Sequence, residues 1–200
     1  MKNKGDRAVF LDRDGTINLD HGYVFRAADF QFIPGAIEAI RLLRDAGFLI
    51  IVVTNQAGIA RGLYGEADVH ELHRHLDREL AKHGTVIDAY YYCPHHPEKG
   101  LAPYRRECAC RKPLPGMLLQ AAADFSLNLE KSFLVGDKLS DVQAGLAGGC
   151  RPILVQTGYG SGVDDLPSNV PRVADLMAAV QLILLPDTDT TPSDTFEVTL

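Results

Sequence analysis

Short apolar runs recur along the chain, and most are separated by segments whose apolar residues repeat at helical spacing. These runs are about four to seven residues long, as expected for strands buried on both faces. Strands alternating with helices are typical of an α/β fold with a parallel sheet. The pattern therefore predicts a parallel sheet with strands at Ala8–Leu11, Phe48–Val53, Ala89–Tyr92, Ser132–Val135 and Pro152–Val155.

Helical periodicity predicts four connecting segments, Gly35–Ala46, Glu66–Lys82, Met117–Phe125 and Asp141–Ala147. Gly47 follows the first of them and suits a helix C-terminus. The histidines in and after the second helix are interpreted as solvent-facing, namely His70, His73, His75 and His83. From Pro186 onward the composition turns to Asp, Thr, Ser and Pro, which bury little apolar surface. We therefore predict one domain over residues 1–185 and a disordered tail over 186–200.

Composition and charge narrow the class of protein. The chain has 200 residues, 46% of them hydrophobic and 23% charged, which suits one globular domain. Its formal net charge of -6 argues against a nucleic-acid partner, because phosphate contacts need clustered Lys and Arg. No apolar run approaches the ~18 residues of a membrane span, and the N-terminus does not read as a signal peptide. These features predict a cytoplasmic protein without a membrane partner.

An acidic turn follows the first predicted strand, with the sequence Asp12-Arg13-Asp14-Gly15-Thr16. Taken alone, it also fits a polar turn whose Asp and Gly serve backbone geometry. Other polar groups end other strands, however, and ligands of open α/β sheets collect at that edge. The second strand ends in Thr54-Asn55-Gln56, and the fourth ends in Gly136-Asp137-Lys138, with Asp141 shortly after it. A predicted helix is preceded by Arg111-Lys112. Carboxylates for Mg²⁺, a hydroxyl and cations for phosphate oxygens together indicate phosphoryl transfer.

Three of the four cysteines fall within one short stretch, in Cys93-Pro94-His95-His96 and Cys108-Ala109-Cys110. In a cytosolic chain such thiols are metal ligands more often than disulfides. One histidine, His95 or His96, with the three thiols would form a closed Zn²⁺ site. The alternative is a set of unrelated thiols and a surface histidine. Because a closed site has no open position, we predict a structural zinc that orders the loop and orients the neighbouring Arg111 and Lys112.

These motifs, in this order, resemble those of the haloacid dehalogenase superfamily phosphatases over residues 8–155. The resemblance implies a doubly wound, Rossmann-like parallel sheet with helices on both faces. It implies that Asp12 is the nucleophile, that Asp14 is the general acid and then the base, and that Thr54 and Lys112 bind the phosphoryl group. Asp12, Asp137 and the backbone carbonyl of Asp14 would hold Mg²⁺. The intervals between the motifs leave no room for a cap domain.

A closer resemblance, over residues 8–160, is to the D-glycero-D-manno-heptose 1,7-bisphosphate 7-phosphatase family. It implies Mg²⁺-dependent removal of one phosphate from a small sugar bisphosphate, on the route to nucleotide-activated heptose for lipopolysaccharide. It also selects His95 as the zinc ligand and implies substrate contacts by Asp20, His21, Gly22, Tyr23, Asn55, Gln56, Arg111 and Lys138. Arg111 would take the second phosphate, because a guanidinium binds phosphate through two parallel hydrogen bonds.

Plainer alternatives remain for single residues and for the function. His21-Gly22 also fits a simple turn, and Lys138 a surface partner of Asp141. Histidinol-phosphatase is the closest alternative activity, since it shares the zinc-bearing scaffold and the acidic turn. A zinc-stapled binding module with an inactive core is an alternative of another class, but it would be expected to have lost Asp12 or Asp14. We expect the protein to act as a monomer.

Overall fold

The structure of the protein is a computed structural model that describes residues 6–185. Six parallel strands form one sheet in the order β3-β2-β1-β4-β5-β6. Their bounds are β1 Ala8–Leu11, β2 Leu49–Asn55, β3 Ala89–Cys93, β4 Phe133–Gly136, β5 Arg151–Val155 and β6 Arg172–Val173. The five predicted strands are confirmed, with ends displaced by one or two residues. The sequence analysis missed β6, because two residues carry no alternation pattern. The tail predicted at 186–200 lies outside the described residues.

Five α-helices connect and flank the strands: α1 Ala36–Asp45, α2 Glu66–Ala81, α3 Gly116–Phe125, α4 Leu139–Gly148 and α5 Leu176–Ile183. The first four confirm the predicted segments, again with small shifts of the ends. The sequence analysis missed α5. Apolar residues lie on every face of this helix, so the sequence shows no polar stripe of helical period. Asp175 caps the start of α5 by accepting the N–H of Ala178.

The sheet buries both of its faces, as the resemblance implied. Side chains alternate along β1, so Val9 and Leu11 join the apolar cluster under α1, α2 and α5. Ala8 and Phe10 point the other way, into the cluster under α3 and α4. Every residue of β1 is consequently inaccessible to solvent. The doubly wound α/β prediction is confirmed.

The interpretation of the four histidines as solvent-facing is wrong for His73 and only partly right for His75, which is half-buried. His73 is only 5% exposed and stacks on Tyr90 of β3, with 4.2 Å between the ring centroids. Its position explains the burial, because it falls four residues after Val69 and three before Leu76, on the apolar stripe of α2. His70 and His83 are exposed, as predicted.

The carboxyl ends of the central strands are not covered by an inserted domain within residues 6–185. Between β1 and β2 the chain makes one short 3-10 turn at Ala27–Asp29 and then α1. Between β2 and β3 it makes α2. The prediction of an uncapped site is therefore confirmed for this part of the chain.

None of the helices between residues 6 and 185 combines the length and apolarity that crossing a membrane requires.

Candidate active site

A cavity of about 310 Å³ lies at the carboxyl edge of the sheet. The order of the strands explains its position, because β1 lies between β2 and β4 and the three strands end side by side. Most of the predicted site residues line it. The lining comprises Asp12, Asp14, Asp20, Gly22, Tyr23, Thr54, Asn55, Gln56, Ala57, Tyr64, Lys112, Lys138, Ser140, Asp141 and Tyr159.

Lys112 is the buried cation at the base of the cavity. Its Nζ lies 2.9 Å from Oδ1 of Asp12 and 2.6 Å from Oδ1 of Asp141, and it donates to the Val53 carbonyl at 2.7 Å. Burial would lower the pKa of Lys112, but the two carboxylates outweigh it and raise that pKa above its usual value. The ammonium therefore stays charged and is fixed beside Asp12.

Asp137 is completely buried, and only part of its carboxylate has a hydrogen-bond partner. Oδ2 accepts the Tyr159 N–H at 2.9 Å, whereas Oδ1 accepts no hydrogen bond and lies 3.5 Å from Nζ of Lys138. Burial, and next the charge of Asp12, raise the pKa of Asp137 to about 7. Gly15 permits this close packing, because a Cβ there would lie 2.3 Å from Oδ2 of Asp137.

Three carboxylates of this edge could hold a divalent cation. Asp12, Asp137 and Asp141 each offer an oxygen within 4.8 Å of the others. Mg²⁺ binds carboxylate oxygens, and Oδ1 of Asp137 is buried without a hydrogen-bond partner. These residues therefore fit that ion. Asp141 was predicted to lie at this edge but not as a ligand. Its position four residues after Asp137, at the start of α4, could have indicated it.

Asp14 is held by four hydrogen-bond donors. Arg13 donates to both of its oxygens, from Nε at 3.1 Å and from Nη2 at 2.8 Å. Asn18 donates to Oδ1 at 3.0 Å, and Gln56 donates to Oδ2 at 3.1 Å. Burial alone would raise the pKa of Asp14, but the Arg13 charge and these bonds hold it below its usual value. The roles of Arg13 and Asn18 were missed, because sequence alone does not show where a turn directs its side chains.

The predicted substrate residues are only partly brought together. Asp20, Gly22, Tyr23 and Lys138 line the cavity, whereas His21 and Arg111 do not. Nζ of Lys138 lies 3.4 Å from Oδ2 of Asp20 and 3.5 Å from Oδ1 of Asp137. Its backbone N–H donates to Oδ2 of Asp141 at 3.0 Å, so Lys138 contacts Asp141 through the backbone and not as a surface ion pair.

The sequence analysis also missed Tyr159 and Ser140, as it missed Tyr64 of the same lining. The ring of Tyr159 lies 4.9 Å from the ammonium of Lys138, and Tyr159 is 58% exposed at the rim of the cavity. Ser140 also lines the cavity. Both follow a strand end by several residues, so no motif indicated them.

The cysteine and histidine cluster assembles as predicted. Cys93, His95, Cys108 and Cys110 each offer a ligand atom within 4.8 Å of the others. Neighbouring ligand atoms lie 3.4 to 3.8 Å apart. A tetrahedron with Zn–S bonds of ~2.3 Å has edges of roughly 3.8 Å, so the residues fit this ion.

The structure also decides between the two neighbouring histidines. Nδ1 of His95 points toward the thiols, whereas Nδ1 of His96 accepts the backbone N–H groups of Glu98 and Lys99. Arg111 is tied to the same loop, because its Nη1 donates to the His95 carbonyl at 3.2 Å.

Comparisons with known proteins agree with this site. A family model described as HAD-hydrolase-like matches residues 109–179. The D-glycero-beta-D-manno-heptose-1,7-bisphosphate 7-phosphatase of Yersinia pestis is 49% identical over 152 residues, 76% of this chain and 81% of that protein. The Photorhabdus laumondii protein of the same name is 51% identical over 78% of this chain and 83% of its own length.

Solved structures extend the likeness to three dimensions. The crystal structure of D,D-heptose 1,7-bisphosphate phosphatase from B. bronchiseptica, complexed with magnesium and phosphate, superposes with a TM-score of 0.81. It is 38% identical and covers 89% of this chain and 98% of the other. The corresponding enzyme from Burkholderia thailandensis gives a TM-score of 0.68 at 32% identity, covering 90% and 99% of the two chains.

Proposed function

This chain belongs to the D-glycero-beta-D-manno-heptose-1,7-bisphosphate 7-phosphatase family, and from that membership we propose that it removes the 7-phosphate of this sugar bisphosphate. The observation that carries the proposal is the arrangement at the sheet edge. Asp12 is buried against the fixed ammonium of Lys112, and Asp14 lines the same cavity. A carboxylate nucleophile, a phosphoryl-binding cation and a proton donor are the groups that this hydrolysis requires.

In the proposed reaction, a carboxylate oxygen of Asp12 forms a bond to phosphorus while the bond to the sugar oxygen breaks. The departing oxygen takes its electron pair and receives a proton from Asp14, which must be protonated when substrate is bound although the free site favours its carboxylate. Asp14 then removes a proton from water, whose oxygen attacks phosphorus and releases Asp12. Thr54 and Lys112 bind the oxygens of the transferring group, and the fixed charge of Lys112 offsets theirs.

The metal ions have separate proposed places in this scheme. Asp12 and Asp137, with the backbone carbonyl of Asp14, would hold Mg²⁺, and Asp141 is a further candidate ligand. When bound, the ion would neutralise phosphate charge. Cys93, His95, Cys108 and Cys110 would hold a structural Zn²⁺, because four protein ligands leave no position for substrate.

The substrate contacts carried over from the resemblance also remain proposals. Asp20, His21, Gly22, Tyr23 and Asn55 would surround the sugar, and Lys138 would contact it beside Tyr159. Arg111 would bind the second phosphate from the zinc loop. Arg111 is hydrogen-bonded to the His95 carbonyl on that loop and does not line the cavity. The substrate would therefore have to extend beyond the cavity to reach Arg111.

We further propose a cytoplasmic monomer acting on a small sugar bisphosphate, in the supply of nucleotide-activated heptose for lipopolysaccharide. The net charge of -6 supports a small-molecule partner over nucleic acid. The two alternative functions are disfavoured. The Yersinia pestis and Photorhabdus laumondii relatives, 49% and 51% identical over the aligned residues, are named heptose bisphosphate phosphatases rather than histidinol-phosphatases. Asp12 and Asp14 are both in place, which an inactive binding module would not need.

A panel of phosphate-release assays tests this function. Heptose 1,7-bisphosphate, histidinol phosphate and 4-nitrophenyl phosphate are compared at equal Mg²⁺ concentration. We expect the highest kcat/KM for the bisphosphate. Equal or faster hydrolysis of histidinol phosphate would overturn the assignment.

A further inference from the structure

We propose that Gln56 is a positioning residue for the proton-transferring carboxyl of Asp14, and that Tyr64 fixes the orientation of the Gln56 amide. This role replaces the substrate contact expected from the resemblance. It rests on the proposed function, because it takes Asp14 as the general acid. Its evidence is a chain of hydrogen bonds among buried side chains at the border of β1 and β2.

The Gln56 amide is fully engaged with protein groups. Its Nε2 donates to Oδ2 of Asp14 at 3.1 Å and to Oγ1 of Thr54 at 2.8 Å. An amide nitrogen has two N–H donors, so neither is left for substrate. Gln56 is also only 1% exposed, although its side chain borders the cavity.

Tyr64 sets which end of the amide faces Asp14. Its hydroxyl donates to Oε1 of Gln56 at 2.6 Å, and burial, as the largest cause, raises the pKa of Tyr64 to about 12. The phenol therefore keeps its proton at neutral pH. A reversed amide would also set Oε1 against Oδ2 of the Asp14 carboxylate, which can only accept a hydrogen bond.

The Tyr64 ring is fixed by two close contacts. Phe25 stacks on it with 4.9 Å between the centroids and 16° between the planes. A Cβ at Gly58 would lie 2.1 Å from a carbon of the same ring, so only glycine lets the loop approach this closely. The donor thus comes from a fixed ring.

The Gln56 bond joins Asp14 to a different strand from its other donors. Arg13 and Asn18 belong to the turn that carries Asp14, whereas Gln56 follows β2 and lies beside Thr54. The proton donor and the phosphoryl-binding hydroxyl are therefore bonded to one amide. Because Thr54 Oγ1 accepts from Gln56, its own proton is free to point toward a phosphoryl oxygen.

The test uses substituted phenyl phosphates without a sugar, graded from 4-nitrophenol to phenol as leaving group. Good leaving groups need little protonation, so loss of Asp14 positioning should affect poor ones most. Gln56→Met has similar length and no donor. We expect it to reduce kcat/KM for phenyl phosphate by roughly ten- to a hundredfold and for 4-nitrophenyl phosphate several times less, which steepens the dependence on leaving-group pKa. Tyr64→Phe should give a smaller change in the same direction.

Tyr91→Phe is the matched control, because it removes a hydroxyl that donates to Asp124 at 2.6 Å, outside the cavity. It should leave the dependence on leaving group unchanged. An equal loss of kcat/KM for all the phenyl phosphates in Gln56→Met would overturn the proposal. So would a loss confined to heptose bisphosphate, because that result identifies a sugar contact.

A readout independent of turnover separates this inference from the proposed function. In the wild-type protein the side-chain N–H protons of Gln56 should exchange slowly with solvent, because both are bonded and buried. In Tyr64→Phe they should exchange faster. Rapid exchange in the wild type would overturn the positioning role, whichever phosphate esters the protein hydrolyses.

Discussion

Asp12 and Asp141 share the single ammonium of Lys112, and Asp137 lies beside them. Three buried carboxylates around one buried cation leave excess negative charge. Burial, and next the charge of Asp12, raise the pKa of Asp137. Such a cluster is stable only when a cation or protons offset the charge. The site is therefore built to bind positive charge and then a phosphate, at a cost in stability.

Asp12→Asn should abolish turnover while preserving the fold. The substitution removes the nucleophile and one carboxylate of the cluster at nearly constant volume. We expect kcat to fall by more than about a thousandfold. The midpoint of thermal unfolding should stay the same or rise, because repulsion on Asp137 is relieved.

Phosphate release and circular dichroism on heating measure the two effects of Asp12→Asn. Asp124→Asn, at a surface carboxylate bonded to Tyr91 and Gln120, is the matched control and should keep full activity. Residual turnover near a tenth of the wild-type value would contradict the assignment of Asp12 as nucleophile.

His73→Phe should make the protein less sensitive to mild acid. Burial, and next the charge of Arg13, lower the pKa of His73 to about 3, below the ~6.5 of an unfolded histidine. The folded state therefore keeps His73 neutral, while the unfolded state takes up a proton below pH ~6.5. The contribution of neutral His73 to the free energy of unfolding is fully present above that pH. It is lost as the pH falls, by up to ~1.4 kcal/mol per pH unit.

Urea unfolding at about pH 7 and about pH 5.5 measures this effect. The wild-type free energy of unfolding should fall by about 1 kcal/mol more than that of His73→Phe, which retains a ring against Tyr90. His83→Gln, at an exposed histidine, should behave as the wild type. Equal pH dependence in His73→Phe and the wild type would contradict the prediction.

Residue identities at strand ends were largely predictable, whereas their partners were not. The types and order of Asp12, Thr54, Lys112 and Asp137 indicate phosphoryl chemistry without a structure. The ion pair of Asp14 with Arg13 depends on how the turn closes, and the bond from Tyr64 to Gln56 depends on ring packing. Neither geometry is encoded in spacing along the chain.

At the scale of elements, strands β1 to β5 and helices α1 to α4 were predictable from periodicity. The segments that failed, β6 and α5, are a two-residue strand and a helix without a polar face. The loop over residues 94–107 has no apolar periodicity. That it is ordered was predicted only from the metal-ligand pattern of His95 with the thiols that flank the loop. Tyr104 from this loop also donates to Glu66 of α2 at 2.6 Å, which adds a second attachment.

Cys108→Ser should loosen this loop before it affects the chemistry. Wild-type protein purified without chelator should contain one Zn²⁺ per chain by elemental analysis, and the variant less. Because Arg111 is bonded to the His95 carbonyl, its position depends on the loop. We therefore expect KM for the bisphosphate to rise and the midpoint of thermal unfolding to fall, with little change in kcat.

Cys150→Ala is the control for Cys108→Ser, since Cys150 lies among apolar residues between α4 and β5 and outside the cluster. It should retain the zinc. A fall in kcat alone in Cys108→Ser, with KM unchanged, would place the metal closer to the reaction than we propose. Wild-type protein without zinc would refute the structural metal.

At the scale of the whole molecule, parts distant in sequence meet at one edge because the sheet is doubly wound. The turn after β1, the ends of β2 and β4, and the zinc loop each contribute one part of the site. Without a cap in residues 6–185, selection between substrates falls to side chains at the rim. Two cations carry proposed substrate contacts, namely Lys138 in the cavity lining and Arg111 on the zinc loop outside that lining.

Arg111→Ala should reduce the preference for a bisphosphate. If Arg111 binds the phosphate that is not cleaved, heptose 1,7-bisphosphate should be preferred to heptose 7-phosphate. A charge-assisted bidentate contact contributes ~1.5–3 kcal/mol, roughly ten- to a hundredfold in kcat/KM. The variant should lose most of that ratio and hydrolyse 4-nitrophenyl phosphate almost as the wild type does.

Two further variants locate the cation that binds the second phosphate. Arg106→Ala removes an exposed arginine from the same loop and should keep the wild-type ratio of the two kcat/KM values. Lys138→Met should lower kcat/KM for both heptose phosphates, because Lys138 lies within 3.5 Å of Asp137 in the reacting cluster. If instead Lys138→Met erases the bisphosphate preference and Arg111→Ala retains it, the second phosphate binds inside the cavity. Arg111 would then serve only to hold the zinc loop through the His95 carbonyl.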